Sequence, residues 1–426
     1  MERPEARPLP LWRNGPFRRF WLGESISFLG NQVTDLALPL TAVLLLGATA
    51  DQMGILAATW YLPYLVFGLP AGVWIDRMRR RPILVGLDVL SAAVVLVVPL
   101  AAWSGLLRIE LLYAVSFLLG SAVVIFMVAY QSFVPTLVGR ARLAEANAAL
   151  EASSSLTAVA GPGIAGLLVQ FLTAPVALVL DAATYLVSAA LVGSIRIAEP
   201  PPIPAAERRS VIDQIGEGIR VVLGNPLLRA LVRGGAIHNF FSRMIDALFV
   251  LYASRELGLD AATIGLVVAA AGPGSFVGSL MATRLTNRVG LGRTIWLMQA
   301  LTGLARLLVP LAAGGVLLSA VSLAASMFLL GFARTVFNVN QLSLRLAITP
   351  DRMHGRLNAT MRFVMWGVTP VGALAGGFLA TTVVGLQGTL FVAAAGVALA
   401  TLSFLEPALR SLRRIPAAEP EGPAPA

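Results

Sequence analysis

One carboxylate in this chain has a position in the sequence that is suited to chemistry. Asp35 lies near the middle of a long apolar stretch, and Glu24 and Asn31 share roughly one helical face with it. An unpaired carboxylate deep in apolar surroundings is costly, so such a group is usually protonated or faces a water-filled space. Asp35 is therefore predicted to bind and release a proton. The alternative is a structural hydrogen-bond network that holds the first long helix to the fifth.

A second group of charges occurs about 210 residues later in the chain. Asn239 and Asp246 repeat the first pattern, and Arg243 precedes Asp246 by one helical turn. This spacing predicts an ion pair, Arg243–Asp246, at the position that matches Asp35. Glu24 lies nearer the end of its apolar stretch, and we interpret it as reaching to the membrane interface rather than relaying a proton.

Glycines and a proline recur in both halves of the chain, at Gly161, Pro162, Gly163 and Gly166 and again at Pro370, Gly372 and Gly376. Proline removes a backbone hydrogen bond and bends a helix, and glycine lets a neighbouring helix approach closely. Because both halves carry the pattern, it predicts two symmetric bends against which the halves rock. Tight packing without motion is the alternative.

The elements that must hold these residues are membrane spans. Hydrophobic residues make up 57% of the 426 and charged residues only 13%, whereas a soluble domain carries about 25% charged residues. About twelve apolar stretches reach the roughly 20 residues that a spanning helix needs. They lie near 20–46, 52–75, 83–104, 110–138, 147–172, 174–195, 229–254, 261–285, 293–312, 315–344, 357–382 and 385–409.

Arginine marks one side of the membrane. Every second loop is rich in arginine, whereas the loops between them hold only Arg108 and Arg255, so both termini are predicted to be cytoplasmic. We therefore interpret the net charge of +10 as a sign of membrane topology and not of nucleic-acid binding. The predicted domains are a cytoplasmic tail at 1–19, a six-helix bundle at 20–195, a cytoplasmic linker with an amphipathic helix at 196–228, a second six-helix bundle at 229–410 and a disordered cytoplasmic tail at 411–426.

The composition offers no sign of enzymatic chemistry. The chain has no cysteine, and its two histidines, His238 and His354, are too far apart in the sequence to build a metal site of the usual spacing. No phosphate-binding loop with the Gly-x-x-x-x-Gly-Lys pattern is present. We expect a protein that is not an enzyme, that needs no metal or cofactor and that uses a proton gradient as its energy source.

Twelve spans in two halves with a long central loop resemble the major facilitator superfamily. Gly72-x-x-x-Asp76-Arg77, followed by further arginines, resembles its motif between helices 2 and 3, and Gly161-Pro162-Gly163 resembles its antiporter motif on helix 5. Leu29-Gly30-Asn31 and Ala144-Glu145-Ala146-Asn147 are similar to the bacterial branch of enterobactin exporters and macrolide efflux proteins. The resemblance implies an all-α membrane protein with about 12 transmembrane helices in two pseudo-symmetric six-helix bundles.

The resemblance also implies roles for the charged motifs. In the superfamily, the aspartate of the loop motif clasps the two halves shut on the inner side. The corresponding gate residues here are Gly72, Asp76, Arg77, Arg80 and Arg81. We expect them to act against the region near Arg356 and Asn358; a plain positively charged loop is the alternative. Helices 1 and 7 line the central cavity in the superfamily, so Asp35 is expected to carry a coupling proton while the pair Arg243–Asp246 polarises the cavity.

Three further ionisable residues lie inside predicted spans. Arg306 and Arg334 could select an anionic ligand, but helix 9 is peripheral in the superfamily, so we interpret Arg306 as structural. His238 is adjacent in sequence to the Asn239–Asp246 face, and we interpret it as a histidine whose hydrogen bonds are satisfied.

The predicted function is secondary transport by alternating access. The resemblance favours proton-coupled efflux of an amphipathic small molecule, such as a macrolide-like drug or a siderophore, by a monomer in contact with membrane lipids in the cell membrane. An uptake symporter or a lipid flippase of the same fold is the alternative within transport. A sensor or scaffold would need a large soluble domain, and a subunit of an ATP-driven exporter would need long helical extensions; the chain has neither.

Overall fold

The computed structural model describes residues 11–68, 70–75, 77–197, 199, 211–349 and 353–414. Within these ranges every regular element is a helix and there is no strand. This follows from the apolar composition, because a lipid-exposed backbone must satisfy its own hydrogen bonds, which a helix does within one segment. Eight helical segments are long and apolar enough to cross a membrane by length and composition.

The helices of the first half are α1 (Gly15–Leu44), α2 (Ala50–Phe67), α3 (Pro70–Ile75), α4 (Arg80–Trp103), α5 (Ile109–Val138), α6 (Leu143–Leu172) and α7 (Ala174–Gly193). The linker contains α8 (Val211–Gly224). The helices of the second half are α9 (Pro226–Leu251), α10 (Ala261–Ala269), α11 (Ala271–Val289), α12 (Leu291–Leu307), α13 (Val316–Ala347), α14 (His354–Gly367), α15 (Thr369–Ala380), α16 (Gly385–Ala400) and α17 (Pro407–Arg410). Six segments in each half confirm the predicted fold class.

Three of the predicted spans consist of two helices each, α2–α3, α10–α11 and α14–α15. In each case the second helix has a proline among its first three residues, namely Pro70, Pro273 and Pro370. Proline has no N–H to donate and disfavours helical geometry in the residue before it, so the helix is interrupted there. In contrast, α6 runs without interruption through Pro162. The two proline motifs therefore differ locally, because only the second-half copy divides its span into two helices, and the predicted symmetric bends remain a prediction.

The first helix begins before the predicted boundary at residue 20. The Asn14 side chain accepts a hydrogen bond from the Phe17 amide at 3.2 Å, and Pro16 occupies the first turn, which together start α1 at Gly15. Leu11 and Phe17 are fully buried. Residues 11–19 are thus part of the folded first half and not of a tail.

The predicted linker helix is present as α8. Asn225 follows α8 and caps the next helix, because its side chain accepts from the Leu227 amide at 2.9 Å. Val222 of α8 is buried against Leu228 and Leu231 of α9. The linker helix therefore packs on the second half, at the end of that half where α9 begins.

The C-terminal segment is also tied to the second half. The carbonyl oxygens of Leu412 and Arg413 accept hydrogen bonds from the amides of Gly292 and Leu291 at the start of α12, at 3.0 and 3.3 Å. Residues 411–414 are therefore ordered, which corrects the prediction of disorder for this part of 411–426. Residues 415–426 lie outside the described residues.

The two halves meet most closely on the arginine-poor side, where α1 ends and α2 begins. There α2 packs on α15 and α6 packs on α10. A Cβ atom added to Gly54 would lie 2.8 Å from Gly377 Cα, and one added to Gly166 would lie 2.9 Å from Gly265 Cα. These glycines allow helix backbones from opposite halves to touch. Nearer the arginine-rich side, the large side chains of Trp74 and Phe363 remain exposed.

Candidate functional site

An ion triad lies at the centre of the second half. Asp246 Oδ2 on α9 is 3.2 Å from Arg243 Nη1, and Asp246 Oδ1 is 2.8 Å from Arg306 Nη1 on α12. The predicted pair Arg243–Asp246 therefore exists, since residues three apart share a helix face. Arg306 was interpreted as structural because its helix was expected to be peripheral; its ion pair agrees with a structural role, but the residue is not peripheral to this site. Its guanidinium reaches the same carboxylate and completes the triad.

Arg243 also joins the two halves of the molecule. Its Nη1 donates a 2.7 Å hydrogen bond to the hydroxyl of Tyr61 on α2, and its guanidinium carbon lies 4.6 Å from the centre of the Tyr61 ring. Such a cation–π contact adds electrostatic attraction to the hydrogen bond. The triad of the second half is thereby connected directly to the first half.

Asp35 faces the space beside this contact. Its side chain lies inside the protein but is accessible to solvent in the space between the helices. It is close enough to Arg243 for their charges to interact. Among the described residues it has no hydrogen-bond or ion-pair partner. An exposed, unpaired carboxylate inside a membrane segment indicates a water-accessible space between the halves. This placement agrees with the predicted environment of Asp35, although its role as a proton carrier remains a prediction.

The hydrogen-bond network around α1 binds it to α7. The Tyr185 hydroxyl donates to Asn31 Oδ1 at 2.6 Å, and the Thr34 hydroxyl donates to the fully buried carboxylate of Asp181. Thr184 donates to the same carboxylate at 3.1 Å. This network joins α1 to α7, the sixth long helix. The predicted alternative, a network between the first and fifth long helices, has one hydrogen bond among those described, from Trp21 Nε1 to the Ala149 carbonyl oxygen of α6 at 3.4 Å.

Glu24 does not reach the membrane interface. It is 1% exposed, and it lies close enough to Asp88 of α4, which is 2% exposed, to be affected by the charge of that residue. One carboxyl oxygen on each of them has no hydrogen-bond partner among the described residues. The interpretation of Glu24 as an interfacial residue was wrong, because α7, α6 and α5 pack on α1 and the side chain lies inside the first half. Glu24 and Asp88 thus form an acidic cluster inside the first half.

His238 behaves as interpreted. Its ring nitrogens lie 3.0 Å from Gln299 Nε2 and 3.4 Å from the Ser242 hydroxyl, so both have partners. The neighbouring Asn239 donates from its amide nitrogen to the Met365 carbonyl oxygen at 2.6 Å. That hydrogen bond joins α9 to α14, and Asn239 is thereby committed to holding the second half together.

The gate motif is only partly described. Asp76 lies outside the described residues, as do the side chains of Arg356 and Asn358. The contact of the gate residues with the region near Arg356 and Asn358 therefore remains a prediction. The backbone amides of Arg80 and Arg81 donate to the Glu199 carboxylate at 2.6 and 3.2 Å, and the Arg81 side chain donates to the Gly193 carbonyl oxygen. A carboxylate at a helix N-terminus is stabilising, so these contacts fix the linker to the start of α4.

The glycines of the two proline motifs are packing positions. Pro162, Gly163 and Gly166 of α6 lie against α10, and Gly161 lies against the side chain of Gln32. In the second half, a Cβ added to Gly376 would lie 2.8 Å from Met244 Cα, and Gly372 lies against the Phe240 carbonyl. The first motif therefore serves the contact between halves, whereas the second one mainly binds α15 to α9.

Aromatic rings surround the charged space. The rings of Tyr61 and Tyr64 lie 6.3 Å apart, and Tyr64 and Trp366 from opposite halves lie 5.1 Å apart. Rings of this kind present apolar surface together with hydrogen-bonding groups. The space can therefore accept a molecule that has both an apolar body and a polar group.

Sequence reasoning missed several residues of this site. Tyr61 and Tyr185 were not singled out, and the place of Arg334 beside the triad was not foreseen. Tyr61 and Tyr185 act through contacts with a different helix, so no local spacing could have identified their partners. Arg334 had the strongest signal, as an arginine inside an apolar stretch.

The fold and this site define a secondary transporter of the major facilitator type: two six-helix halves with a charged site between them at membrane depth. The chain belongs to the transmembrane secretion effector family of the major facilitator superfamily, whose profile matches residues 6–423. Members of this family are transporters and not enzymes.

Two relatives are similar over much of the sequence. The multidrug efflux pump Tap of Mycobacterium tuberculosis is 27% identical over 409 residues, covering 92% of this chain and 94% of Tap. Macrolide efflux protein A of Streptococcus pyogenes is 23% identical over 265 residues, or 62% of this chain. That alignment spans 65% of the length of macrolide efflux protein A.

Solved structures share the fold at low sequence identity. A bacterial homologue of the iron transporter ferroportin in an inward-facing state has a TM-score of 0.71 at 19% identity, covering 93% of this chain and 98% of that one. The nucleoside transporter NupG has a TM-score of 0.69 at 12% identity, covering 93% and 99%. At these identities the likeness demonstrates the fold alone.

Proposed function

We propose that this protein is a proton-coupled efflux transporter for amphipathic small molecules, located in the cell membrane with both termini in the cytoplasm. The names of its relatives, a multidrug efflux pump and a macrolide efflux protein, support efflux of drug-like molecules. The positive-inside rule supports the orientation, because the arginine-rich loops lie on the side of the two termini.

The observation that carries the proposal is Asp35, an exposed carboxylate without a partner at membrane depth. It lies beside Arg243, which contacts both halves through Asp246 and Tyr61. A change in the charge of Asp35 alters the electrostatic environment of Arg243. Proton binding at Asp35 can thereby bias the contact between the halves, which is the coupling that an antiporter needs.

The arrangement of the halves supports a direction for the cycle. With the halves in contact on the arginine-poor side, cargo enters from the cytoplasm and Asp35 releases its proton there. Closure on the cytoplasmic side would then expose the site outward, where cargo leaves and a proton binds. One proton moving down a potential of 100 mV supplies about 2.3 kcal/mol, which corresponds to tens-fold accumulation of cargo.

The test uses everted membrane vesicles that contain the protein and are acidified inside. Uptake of a macrolide, a lipophilic dye and a catechol siderophore is followed before and after the pH gradient is collapsed. We expect uptake of at least one of them that disappears with the gradient and is lost in Asp35→Asn. Asp35→Asn should remain folded, because no contact among the described residues depends on this carboxylate.

The matched control is Asp260→Asn on the arginine-poor side. Asp260 caps α10 by accepting from the Thr263 amide at 2.8 Å, and asparagine can accept the same hydrogen bond. This variant should transport normally. Full gradient-driven uptake by Asp35→Asn would refute its coupling role, and uptake that ignores the gradient would favour a facilitator or a lipid flippase.

A further inference from the structure

Arg334 is an arginine in the middle of a membrane helix with no partner to neutralise it. It lies 18 residues after the start of α13 at Val316, and its side chain is exposed. Protein nevertheless surrounds it, and the charges of Arg243, Arg306 and Asp246 act on it. Its side chain therefore faces the space beside the ion triad. Among the described residues it has no hydrogen-bond or ion-pair partner.

The triad cannot neutralise Arg334. Each oxygen of Asp246 is already within 3.2 Å of another arginine, since Oδ2 contacts Arg243 and Oδ1 contacts Arg306. The described charged groups around this space are three arginines and two carboxylates, Asp246 and Asp35, which leaves a net charge of +1 even when both carboxylates are ionised. The positive-inside rule concerns loops and does not account for an arginine at this depth.

More positive charge leads from this space towards the arginine-rich side. Arg362 on α14 is exposed, has no ion-pair partner among the described residues, and acts on Tyr64 and Arg345. Arg345 on α13 contacts the sulfur of Met361 at 3.7 Å, and its Nε is buried without a partner within the described part of the chain. A line of unneutralised arginines thus borders the aromatic surface formed by Tyr64 and Trp366.

We propose that this space binds amphipathic molecules with an anionic head, a carboxylate or phosphate, and that Arg334 is the main contact of that head. A guanidinium presents a planar fork of donors that matches both groups. The apolar body would lie on the rings of Tyr64 and Trp366, with Arg362 attracting the anion along its route. The inference rests on the proposed transport function for the location of the site, but it is tested by binding without any gradient.

The experiment measures equilibrium binding to the full chain in lipid nanodiscs with two matched pairs of probes. The first pair is radiolabelled deoxycholate, below its micellar concentration, and its uncharged methyl ester. The second pair is lysophosphatidylglycerol, which is anionic, and lysophosphatidylcholine, which is zwitterionic. In at least one pair, the wild-type protein should bind the anion about tenfold more tightly than its partner, as expected for one charge-assisted contact.

Variants assign that preference to Arg334. Arg334→Gln should abolish it, Arg334→Lys should retain part of it, and Arg362→Gln should weaken it less than Arg334→Gln. Arg284→Gln is the matched control, because Arg284 is an exposed arginine near the end of α11. Retention in Arg334→Lys shows that charge and not folding is responsible. Preference within the first pair identifies a free acid as the ligand, and preference within the second pair identifies a lipid.

The proposal is overturned if neither pair shows a preference for the anion, or if the preference survives in Arg334→Gln. These outcomes are independent of the transport assay. A protein that binds anions without gradient-driven uptake would contradict the proposed coupling and leave this inference intact. A protein that transports the macrolide under a gradient but shows no anion preference would support the proposed coupling and overturn the anion site.

Discussion

At the residue scale, the site depends on how one carboxylate is shared. Asp246 accepts from Arg243 and Arg306, and Arg243 in turn donates to Tyr61 of the other half. Buried charges are costly unless they are paired, so each member of this set depends on the others. The set therefore acts as one electrostatic unit and not as separate contacts.

Removal of one member should consequently destabilise the second half. Arg306→Gln leaves one Asp246 oxygen without its cationic partner, and we expect a loss of about 2 kcal/mol in the free energy of unfolding, the scale of one charged hydrogen bond. The side chains are 11% and 34% exposed, so the loss should stay below that of a fully buried pair. Thermal or denaturant unfolding in detergent measures it.

Arg306→Lys is the control for that measurement, since it keeps the charge and should recover part of the stability. An Arg306→Gln variant as stable as the wild type would mean that water replaces the lost contact. Asp35 differs from this unit, because it is unpartnered and its replacement should change coupling without changing stability.

At the element scale, two helix pairs make the most extensive contacts between the halves. They are α2 with α15 and α6 with α10, and both depend on glycines at the crossing. A Cβ added to Gly166 would lie 2.6 Å from the Ala261 carbonyl oxygen. Because protein cores do not deform continuously, such an overlap favours another arrangement of the halves.

Gly166→Ala is therefore expected to populate a state in which the halves separate on the arginine-poor side. Spin labels at Leu45→Cys and Glu256→Cys, which lie on that side in opposite halves, report the separation by pulsed electron resonance. The chain has no cysteine, so the labels attach only at these positions. We expect the distance distribution to shift to longer values in Gly166→Ala.

The matched control is Gly86→Ala in α4, where a Cβ atom would meet nothing within 4 Å. This substitution should raise helix propensity by up to about 1 kcal/mol and leave the distances unchanged. Identical distributions in both variants would show that the crossing at Gly166 tolerates a methyl group and does not control closure.

At the scale of the whole molecule, orientation in the membrane decides what the site can export. The arginine-rich loops, α8 and the segment 411–414 all lie on one side, whereas the opposite loops are short. The closest contacts between the halves lie on the arginine-poor side, so the proposed cycle has cargo entering from the arginine-rich side. Reversal of the orientation would turn the same structure towards uptake.

Accessibility of single cysteines tests this orientation. Ser104→Cys, in the exposed loop after α4, should react with a membrane-impermeant maleimide in intact cells. Ser411→Cys, exposed on the opposite side, should react only after the membrane is permeabilised. Labelling of Ser411→Cys in intact cells would contradict the orientation and with it the efflux direction.

The sequence by itself determined the membrane class, the twelve spans and the pair Arg243–Asp246. Hydropathy and loop charge are summed along the chain, and residues one helical turn apart meet in any helix, so none of these depends on how helices pack. The repeat of the glycine–proline motif was also visible in the sequence, although the division of the span at Val368 and the continuity of α6 through Pro162 were not.

Only the tertiary structure decided which groups face the space between the halves. Glu24 and Asp35 share a helix face, yet the packing of the first half buries Glu24 and leaves Asp35 exposed. Arg306 meets Asp246 across 60 residues of chain, and Tyr61 meets Arg243 across 182. The physical reason is that partners on different helices are set by interhelical packing, which neither spacing nor composition along one helix contains.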